Sequence, residues 1–469
     1  MSVYDIVIKN GWVIDPTNKR NGDFDIGIRD GKVVAVEPEL PAGAAGEFYD
    51  AAGKWVMPGL VDTHVHLTPY EERKVGMRML ARAGVTCALD CSGPVEDVIR
   101  GLRDNGAGIN VAVLNRLDPG NTISGPDPSR KELKQYLEKS LAAGALGFKL
   151  LGGHLPLTPE TITDAIDLCN QERVYVAFHC GSTVNGSNLK GLLEAFEFAG
   201  KNRMQVCHIN AYCRGYTEGD PVKESMIALK ELSARPQFVS ESHLATYNCC
   251  WTRMENGMPR SHVTRTCLEI RGFEVSPQGA LDAARAGYMM VHKVDRNDVT
   301  FLGPKEGAAY LEKIDFETMV SFPVNKRSTA FLMATQKKED KQFVVTALST
   351  DGGGIPRNFL LSHGLSLVRF DALSIDEFVL KSAANPARML GLNDKGHLGE
   401  GADADLIVVD PEKQEALLTI ASGRIIMIHG IITGSGGTLL TSEQYKGPVK
   451  DFKVRIQPVN LEKSLFYHD

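Results

Sequence analysis

Two histidines stand one residue apart in the stretch VMPGLVDTHVHLTPY, residues 56–70, where an apolar run follows a Pro-Gly turn. Side chains two residues apart on a β-strand project to the same side, so a strand here would aim His64 and His66 into one site. Neutral imidazoles are common ligands of zinc and related metals. Because an HxH pair by itself fits a structural role equally well, its interpretation depends on the rest of the chain.

Four further side chains that can bind a metal occur where later apolar runs end. They are Lys149 in GFKLLGG, His179 in VAFHCGS, His208 in QVCHINA and Asp351 in ALSTDGGG. A bare ammonium is costly to bury, so Lys149 must be paired, deprotonated or modified. Each residue alone could be an ordinary core or surface group, but together they predict one cluster at a common mouth.

The runs that end in these residues belong to an alternation of short buried strands and helical patterns. Eight candidate strands occur, at 60–66, 86–91, 110–115, 146–150, 174–179, 205–209, 237–243 and 345–350. Capping boxes at Ser129 to Glu132 and Ser374 to Glu377, and an N-cap at Thr158, mark helix starts. Eight strand–helix units predict an α/β fold with a TIM (β/α)8 barrel, whose sites lie at the carboxyl ends of its strands.

The barrel pattern is flanked by sequence of a different character. Residues 1–58 alternate in strand-like runs with Asn-Gly and Asp-Gly turn signals, and strand-like segments return towards the C-terminus. We therefore predict a small composite β-sandwich domain from 1–58 plus 392–469, and a barrel over 59–391. The gap between the seventh and eighth strands is too long for a bare loop, which predicts an insertion with its own structure around 244–344.

Composition is that of an ordinary globular protein. The 469 residues are 43% hydrophobic and 23% charged, with a net charge of -6. No basic stripe and no apolar run of membrane-spanning length occurs, so neither nucleic acid nor a membrane is an expected partner. The start, MSVYDIVIKNG, lacks the regions of a secretory signal, and the nine cysteines show no paired CxxC spacing. These features predict a cytoplasmic protein with reduced thiols.

The set of candidate ligands resembles the amidohydrolase superfamily, most closely its branch of dihydroorotases, hydantoinases, isoaspartyl dipeptidases and N-acyl-D-amino-acid deacylases. The resemblance rests on His64-x-His66 after MPGLVD, on the four later residues, and on GADADLIVVD near the C-terminus. It covers nearly the whole chain. It implies one or two divalent metal ions, foremost zinc, a small-molecule amide substrate and a homo-oligomer.

The resemblance also implies a role for each ligand. A more buried metal would be held by His64, His66 and Asp351, and a more exposed one by His179 and His208. Lys149, carboxylated by carbon dioxide, would bridge the two.

The implied enzyme hydrolyses amide C–N bonds other than ordinary peptide bonds, in a cyclic amide or ureide or in an N-acyl amino acid. A metal lowers the pKa of bound water from about 15.7 towards about 7, which makes hydroxide available at neutral pH. Asp351 would take the water's proton and deliver it to the leaving nitrogen.

Three cysteines near the candidate ligands need an interpretation. Cys91, in ALDCSGP, ends the second strand, where the deacylase branch that the chain resembles has a metal-binding cysteine. If Cys91 binds, one metal can suffice; the alternative is a small buried packing residue. Cys180 and Cys207 each neighbour a candidate histidine, and strand alternation predicts that both turn away from the mouth and pack.

Substrate contacts are less defined by the sequence. Arg357 in DGGGIPRNF and Arg116 in VLNRLDPGNT are candidates for gripping a substrate carboxylate, with ordinary surface roles as the alternative. His154 and His243 lie near strand ends, either to contact substrate or as bystanders.

Two other functions fit parts of the pattern. A mononuclear heterocycle deaminase of this superfamily usually lacks the fourth-strand lysine and carries a glutamate near a metal-site histidine, which neither HINAYC nor HCGSTV offers. A non-catalytic, hydantoinase-like scaffold typically loses metal ligands, whereas all six candidates are present here.

Overall fold

The first strands of the chain form half of a sheet domain in the computed structural model, which describes residues 3–41, 43, 45–68, 71–447 and 453–468. These strands are β1 (Tyr4–Asp15), β2 (Arg20–Arg29), β3 (Lys32–Glu37), β4 (Ala45–Asp50) and β5 (Trp55–Pro58). The predicted Asp-Gly turn joins β2 to β3, with φ angles of 52° at Asp30 and 78° at Gly31, as a type I′ turn requires. The Asn-Gly signals mark no turn, because Asn10 lies at a β-bulge inside β1 and Asn21 lies within β2.

A barrel of parallel strands follows, with helices between the strands. Its first seven strands are β6 (Leu60–His66), β7 (Val85–Asp90), β8 (Ala107–Arg116), β9 (Gly147–Leu151), β10 (Tyr175–His179), β11 (Gln205–Val206) and β12 (Val239–His243). Six helices accompany them: α1 (Gly76–Arg82), α2 (Val95–Asn105), α3 (Arg130–Ala143), α4 (Pro159–Gln171), α5 (Leu189–Ala199) and α6 (Pro221–Ser233). Each of these strands overlaps a strand predicted from the sequence.

The helix starts follow the predicted caps. Ser129 accepts a hydrogen bond from the backbone N–H of Glu132 at the start of α3, and Thr158 does the same for Thr161 at the start of α4. The capping box at Ser129 is only half formed, because the Glu132 carboxylate accepts hydrogen bonds from Ser124 instead.

The long segment between β12 and the eighth barrel strand holds a small structure of its own. Its elements are β13 (Cys250–Trp251), β14 (Met254–Glu255), β15 (Met258–Pro259), α7 (His262–Ile270), α8 (Pro277–Arg285), β16 (Met290–Asp295), β17 (Asp298–Phe301), α9 (Pro304–Lys313) and β18 (Met319–Ser321). They enclose a separate hydrophobic cluster that extends to Val324. The next helix, α10 (Arg327–Thr335), packs against α6 and β12. The insertion is therefore shorter than the predicted 244–344, because α10 is a helix of the barrel.

The elements after α10 nearly close the barrel. They are β19 (Ala347–Ser349), β20 (Gly352–Gly353), α11 (Leu360–Arg369), α12 (Ile375–Val379), a π-helical turn (Leu380–Ala384) and α13 (Asn385–Met389). The parallel order is β19-β12-β11-β10-β9-β8-β7-β6-β20, with β20 beside β6. The predicted capping box of Ser374 and Glu377 forms at the start of α12. The predicted TIM barrel is confirmed.

The chain then returns to the sheet domain through β21 (Leu406–Asp410), β22 (Glu415–Ala421), β23 (Arg424–Ile428) and β24 (Ile431–Ile432). Strand β5 joins the two halves, since it pairs with β1 on one side and β21 on the other. Nine strands form one sheet, which confirms the predicted sheet domain built from both ends of the chain.

The last strands do not belong to that sheet. Strands β25 (Gly436–Thr441) and β26 (Val454–Pro458) pair with each other, and β25 pairs with the first half of β8. Strand β9 begins opposite Leu114, so the preceding edge of β8 would otherwise expose its backbone groups. The predicted boundary of 392–469 is therefore wrong for this segment, which completes the barrel sheet.

Short 3-10 turns complete the described structure, at Pro16–Asn18, Glu71–Lys74, Ile209–Tyr212 and Leu461–Lys463. Among the described helices, none is long and apolar enough to cross a membrane.

Two lysines lie fully buried in the barrel, in different settings. The Lys381 ammonium donates to the carbonyl oxygens of Ala334 and Val345, at 2.9 and 3.0 Å, and burial lowers its pKa to about 7. Lys149 instead lies among imidazoles, thiols and a carboxyl group.

Candidate metal centre

All six predicted ligands meet at the carboxyl ends of the barrel strands. His64 and His66 lie on β6, Lys149 on β9 and His179 on β10, while His208 and Asp351 are each the second residue after the end of a strand, β11 and β19 respectively. The ring centroids of neighbouring histidines are 4.3 to 5.2 Å apart. The geometry agrees with the prediction of a single cluster, and the ligand roles stay predictions.

His64 is oriented by a carboxyl group that the sequence reasoning missed. Its Nδ1 lies 2.7 Å from Glu241 Oε1, so Nδ1 carries the proton and Nε2 presents its lone pair to the cluster. Nε2 faces Lys149 Nζ at 3.2 Å and Asp351 Oδ1 at 3.6 Å. A carboxylate behind a histidine fixes the tautomer that binds a metal. The sequence feature that could have indicated Glu241 is a charged residue in the middle of VSESH, the segment that forms the buried strand β12.

Glu241 is fully buried and serves several partners. It accepts hydrogen bonds from the His208 backbone N–H, at 2.6 Å, and from the Ser349 hydroxyl. Burial raises the pKa of its carboxyl group to about 7, although these hydrogen bonds act to lower it. Glu241 thereby ties β6, β11 and β19 together behind the cluster.

His66 and Asp351 face each other across the cluster. His66 Nδ1 lies 2.8 Å from Ser92 Oγ, and its Nε2 lies 2.8 Å from Asp351 Oδ1. The other carboxylate oxygen, Oδ2, pairs with Arg357 Nη2 at 2.5 Å. Burial acts to raise the pKa of Asp351, but the Arg357 guanidinium and the nearby imidazoles hold it well below its usual range. Asp351 is therefore a carboxylate that presents Oδ1 to the histidines.

Lys149 contacts a thiol that was predicted to point away. Its Nζ lies 2.8 Å from Cys207 Sγ, so the packing role predicted for Cys207 is wrong. Strand β11 ends at Val206 and His208 takes a left-handed φ of 31°, which breaks the alternation on which that prediction depended. Cys180 lies in the hydrophobic core, in agreement with packing. Burial acts to lower the pKa of Lys149, but its acidic neighbours Cys207, Cys91 and Glu241, Cys207 first, raise it.

The two remaining histidines keep nitrogen atoms available. His179 Nε2 lies 2.9 Å from Ser187 Oγ, which leaves Nδ1 for another partner. His208 Nδ1 is buried and has no hydrogen-bond partner among the described residues. Burial holds the pKa of His64, His179 and His208 well below the usual value, so all three are neutral imidazoles, the form that binds metals.

These donors fit a divalent metal. Within the described part of the chain, two groups place their donor atoms within 4.8 Å of one another: His64, His66 and Asp351, and His64, Cys207 and Glu241. Imidazole, carboxylate and thiolate donors suit zinc. Cys91 lines the cavity but belongs to neither group, and burial raises the pKa of its thiol well above the usual value. Metal binding by Cys91 stays a prediction.

The cluster opens into a cavity of about 480 Å³, the size of a small-molecule site. The insertion forms part of its wall, because Trp251, Arg260 and Met319 line it. Contacts beside the cavity help to hold the insertion in place: Ser261 Oγ lies 2.9 Å from His154 Nδ1, and Arg260 Nη2 lies 2.7 Å from Asp118 Oδ1.

The other residues predicted to contact substrate also line this cavity. Arg357 is buried and engaged by Asp351, while Arg116 Nε lies 3.3 Å from Asp118 Oδ2. Their guanidinium groups are thus already paired with carboxylates. His154 stacks on Trp251, at 4.7 Å between ring centroids, and His243 Nδ1 accepts a hydrogen bond from the Ala245 N–H.

Comparisons with known proteins agree with this fold. The chain belongs to the amidohydrolase family, whose model, described as "Amidohydrolase family", matches residues 55–435. It is similar to a dihydroorotase of Aquifex aeolicus, with 24% identity over 430 residues that cover 87% of this chain and 90% of that protein.

Solved structures share the fold. The N-acyl-D-glutamate deacylase of Bordetella bronchiseptica, in complex with zinc and a phosphonate inhibitor, matches with a TM-score of 0.64 and 17% identity, over 92% of this chain and 98% of that one. A dihydropyrimidinase from Brevibacillus agri matches with a TM-score of 0.61 and 14% identity, over 99% of both chains.

Replacing Glu241 with glutamine is expected to weaken metal binding by about 10- to 100-fold, because the amide is a poorer acceptor for His64 Nδ1–H. Competition with a chromogenic chelator measures this affinity. The matched control is Glu224→Gln, since Glu224 is also buried but accepts hydrogen bonds from the backbone of a loop. Equal metal affinity in Glu241→Gln and the wild type would contradict the orienting role.

Proposed function

We propose that this protein is a metal-dependent hydrolase of the C–N bond in a cyclic amide or ureide, or in an N-acyl amino acid. The observation that carries the proposal is the cluster of His64, His66 and Asp351, with Lys149 3.2 Å from His64, at the floor of a small-molecule cavity. The dihydroorotase and the deacylase to which the chain is similar are named for reactions of these two substrate types.

We propose zinc as the metal, in one or two sites. His64, His66 and Asp351 would hold one ion, and His179 and His208 would hold a second. Such an ion, when bound, supplies Lewis acidity towards the substrate carbonyl and the attacking water. The deacylase structure that contains zinc has the same fold, which supports this choice.

We also propose that Lys149 is carboxylated. The Lys149 ammonium would first lose a proton, and the resulting amine would add to carbon dioxide, forming an N–C bond and releasing a second proton. The two steps together turn a buried cation into an anionic oxygen donor. Full burial of Lys149 beside His64 supports this, because an ammonium there would repel a metal. The Cys207 thiol, 2.8 Å from Nζ, is placed to donate a hydrogen bond to the modified group.

Other steps of the proposed reaction depend on side chains of the protein. Asp351 would take the proton of the attacking water and pass it to the leaving nitrogen, for which its ionised state is required. Arg357 would hold one Asp351 oxygen so that the other stays directed at the site. The insertion supplies part of the cavity wall, through Trp251, Arg260 and Met319.

The experiment that tests this proposal is a hydrolysis screen with zinc-reconstituted protein. It compares cyclic ureides, lactams, and N-acyl derivatives of L- and D-amino acids, with chelated protein as the control. We expect zinc-dependent release of the ring-opened acid or of the free amino acid. Release of ammonia from a heterocycle, or no turnover by protein that has bound zinc, would contradict the proposal and favour the deaminase or the scaffold.

A further inference from the structure

Five arginines line the cavity, and four of them are paired with carboxylates. The pairs are Arg116 with Asp118, Arg253 with Glu317, Arg260 with Asp118 and Glu255, and Arg357 with Asp351. The fifth, Arg214, has no carboxylate within ion-pair distance among the described residues. A partly buried cation without a counterion is unfavourable unless a ligand supplies the negative charge.

Arg214 is nevertheless held in a defined position. Its Nε and Nη2 both donate to Asn325 Oδ1, each at 3.1 Å. Asn325 is buried, and its backbone N–H donates to the Thr246 carbonyl oxygen at 3.1 Å. This neutral acceptor occupies one edge of the guanidinium, so the edge formed by the Nη1 and Nη2 groups retains N–H donors.

The buried carboxylate of Glu224, in helix α6, is bound to the loop that follows Arg214. Glu224 accepts hydrogen bonds from the backbone N–H groups of Gly215, Thr217 and Glu218, at 2.6 to 2.9 Å. This network fixes the chain just after Arg214, and it commits the Glu224 carboxylate to the backbone.

Arg214 also lies close in sequence and space to the metal cluster. It follows the 3-10 turn Ile209–Tyr212, which begins immediately after His208. Asn210 of the same turn lies 3.4 Å from His243 Nε2, and the His243 ring is 6.4 Å from that of His208. Because Arg214 lines the same cavity as the histidines and Asp351, a group bound to Arg214 would share that cavity with the proposed reaction centre.

We propose that Arg214 binds a carboxylate of the substrate and makes the enzyme selective for amides that carry one. The inference rests on the proposed function and adds the specificity-determining residue to it. A guanidinium edge with parallel N–H groups matches a carboxylate in a bidentate pair. Arg214 thus has the role that the sequence suggested for Arg357 and Arg116, whose guanidinium groups are already paired.

Matched substrate pairs test the proposal. Dihydroorotate carries a carboxylate that dihydrouracil lacks. N-acetylmethionine carries a carboxylate where N-acetylmethioninamide has a neutral amide. For zinc-loaded Arg214→Gln we expect kcat/KM and calorimetric affinity to fall about 10- to 100-fold for the preferred carboxylate, and to change little for its neutral partner. The control is Arg253→Gln, because Arg253 lines the same cavity but is exposed and paired with Glu317.

The outcomes separate this proposal from the proposed function. Equal losses on both members of a pair, no loss, or a wild type that binds neither carboxylate would overturn the role of Arg214. A wild type that binds carboxylates through Arg214 but hydrolyses none of the amides would support Arg214 and contradict the proposed function. Thermal unfolding of both variants confirms that each is folded.

Discussion

Replacing Lys149 with alanine is expected to lower kcat/KM by at least about a thousandfold, because the site loses the group that links its two halves. The variant should also bind no more than one zinc ion per chain. Lys149 Nζ lies against both His64 Nε2 and Cys207 Sγ, so its removal leaves a gap between strands β6, β9 and β11. Short carboxylic acids, which can occupy that gap, should partly restore activity and the second metal. Elemental analysis and steady-state kinetics measure both effects.

A second buried lysine provides the control for this result. Lys381→Met removes a buried amino group that donates to the carbonyl oxygens of Ala334 and Val345 and lies 4.1 Å from the centroid of the Phe343 ring. It should change stability while leaving metal content per folded chain as in the wild type. Retention of two zinc ions by Lys149→Ala would contradict the bridging role.

Replacing Asp351 with asparagine is expected to lower kcat by about 10²- to 10⁴-fold, the range typical of losing a general base. The amide cannot accept the proton of the attacking water, and it offers a weaker donor atom opposite His66. It also leaves the buried Arg357 guanidinium without its counterion, so the thermal midpoint should fall. Kinetics and calorimetry measure the two effects separately.

Two further variants distinguish chemistry from stability at Asp351. Adding Arg357→Met to Asp351→Asn removes the unpaired charge and should recover stability but not activity. Asp118→Asn disrupts another buried Asp–Arg contact of the cavity wall and should cost stability with a smaller loss of kcat. Full activity in Asp351→Asn would contradict the proposed role of Asp351 as base.

The barrel and most of the metal-binding cluster could be predicted from the sequence, because the candidate ligands stand close to the ends of recognisable strand segments. The candidate ligands lie within or just after the short buried strands, and parallel strands bring these positions to one mouth. The prediction that Cys207 points away from the site failed, because its strand is too short for side chains to alternate regularly between the two faces. Strand β11 has two residues, and the left-handed backbone at His208 turns Cys207 towards Lys149.

Long-range pairing accounts for the other differences. Arg260 and Asp118 are 142 positions apart, and no local pattern links them. Likewise, nothing within GGTLLT shows that β25 fills an edge of β8 left open by the late start of β9. The role of Glu241 could not be predicted, because VSESH is a polar sequence that does not indicate a wholly buried strand.

The measurement that tests the central claim most directly is the zinc content of the folded protein, determined by elemental analysis after chelation and reconstitution. We predict one to two zinc ions per chain in the wild type. In a His64→Ala, His66→Ala double variant we predict at least one zinc ion fewer per chain than in the wild type, with an unchanged circular dichroism spectrum. A folded wild type that takes up no zinc, or a double variant that binds as much as the wild type, would contradict the assignment of the metal centre.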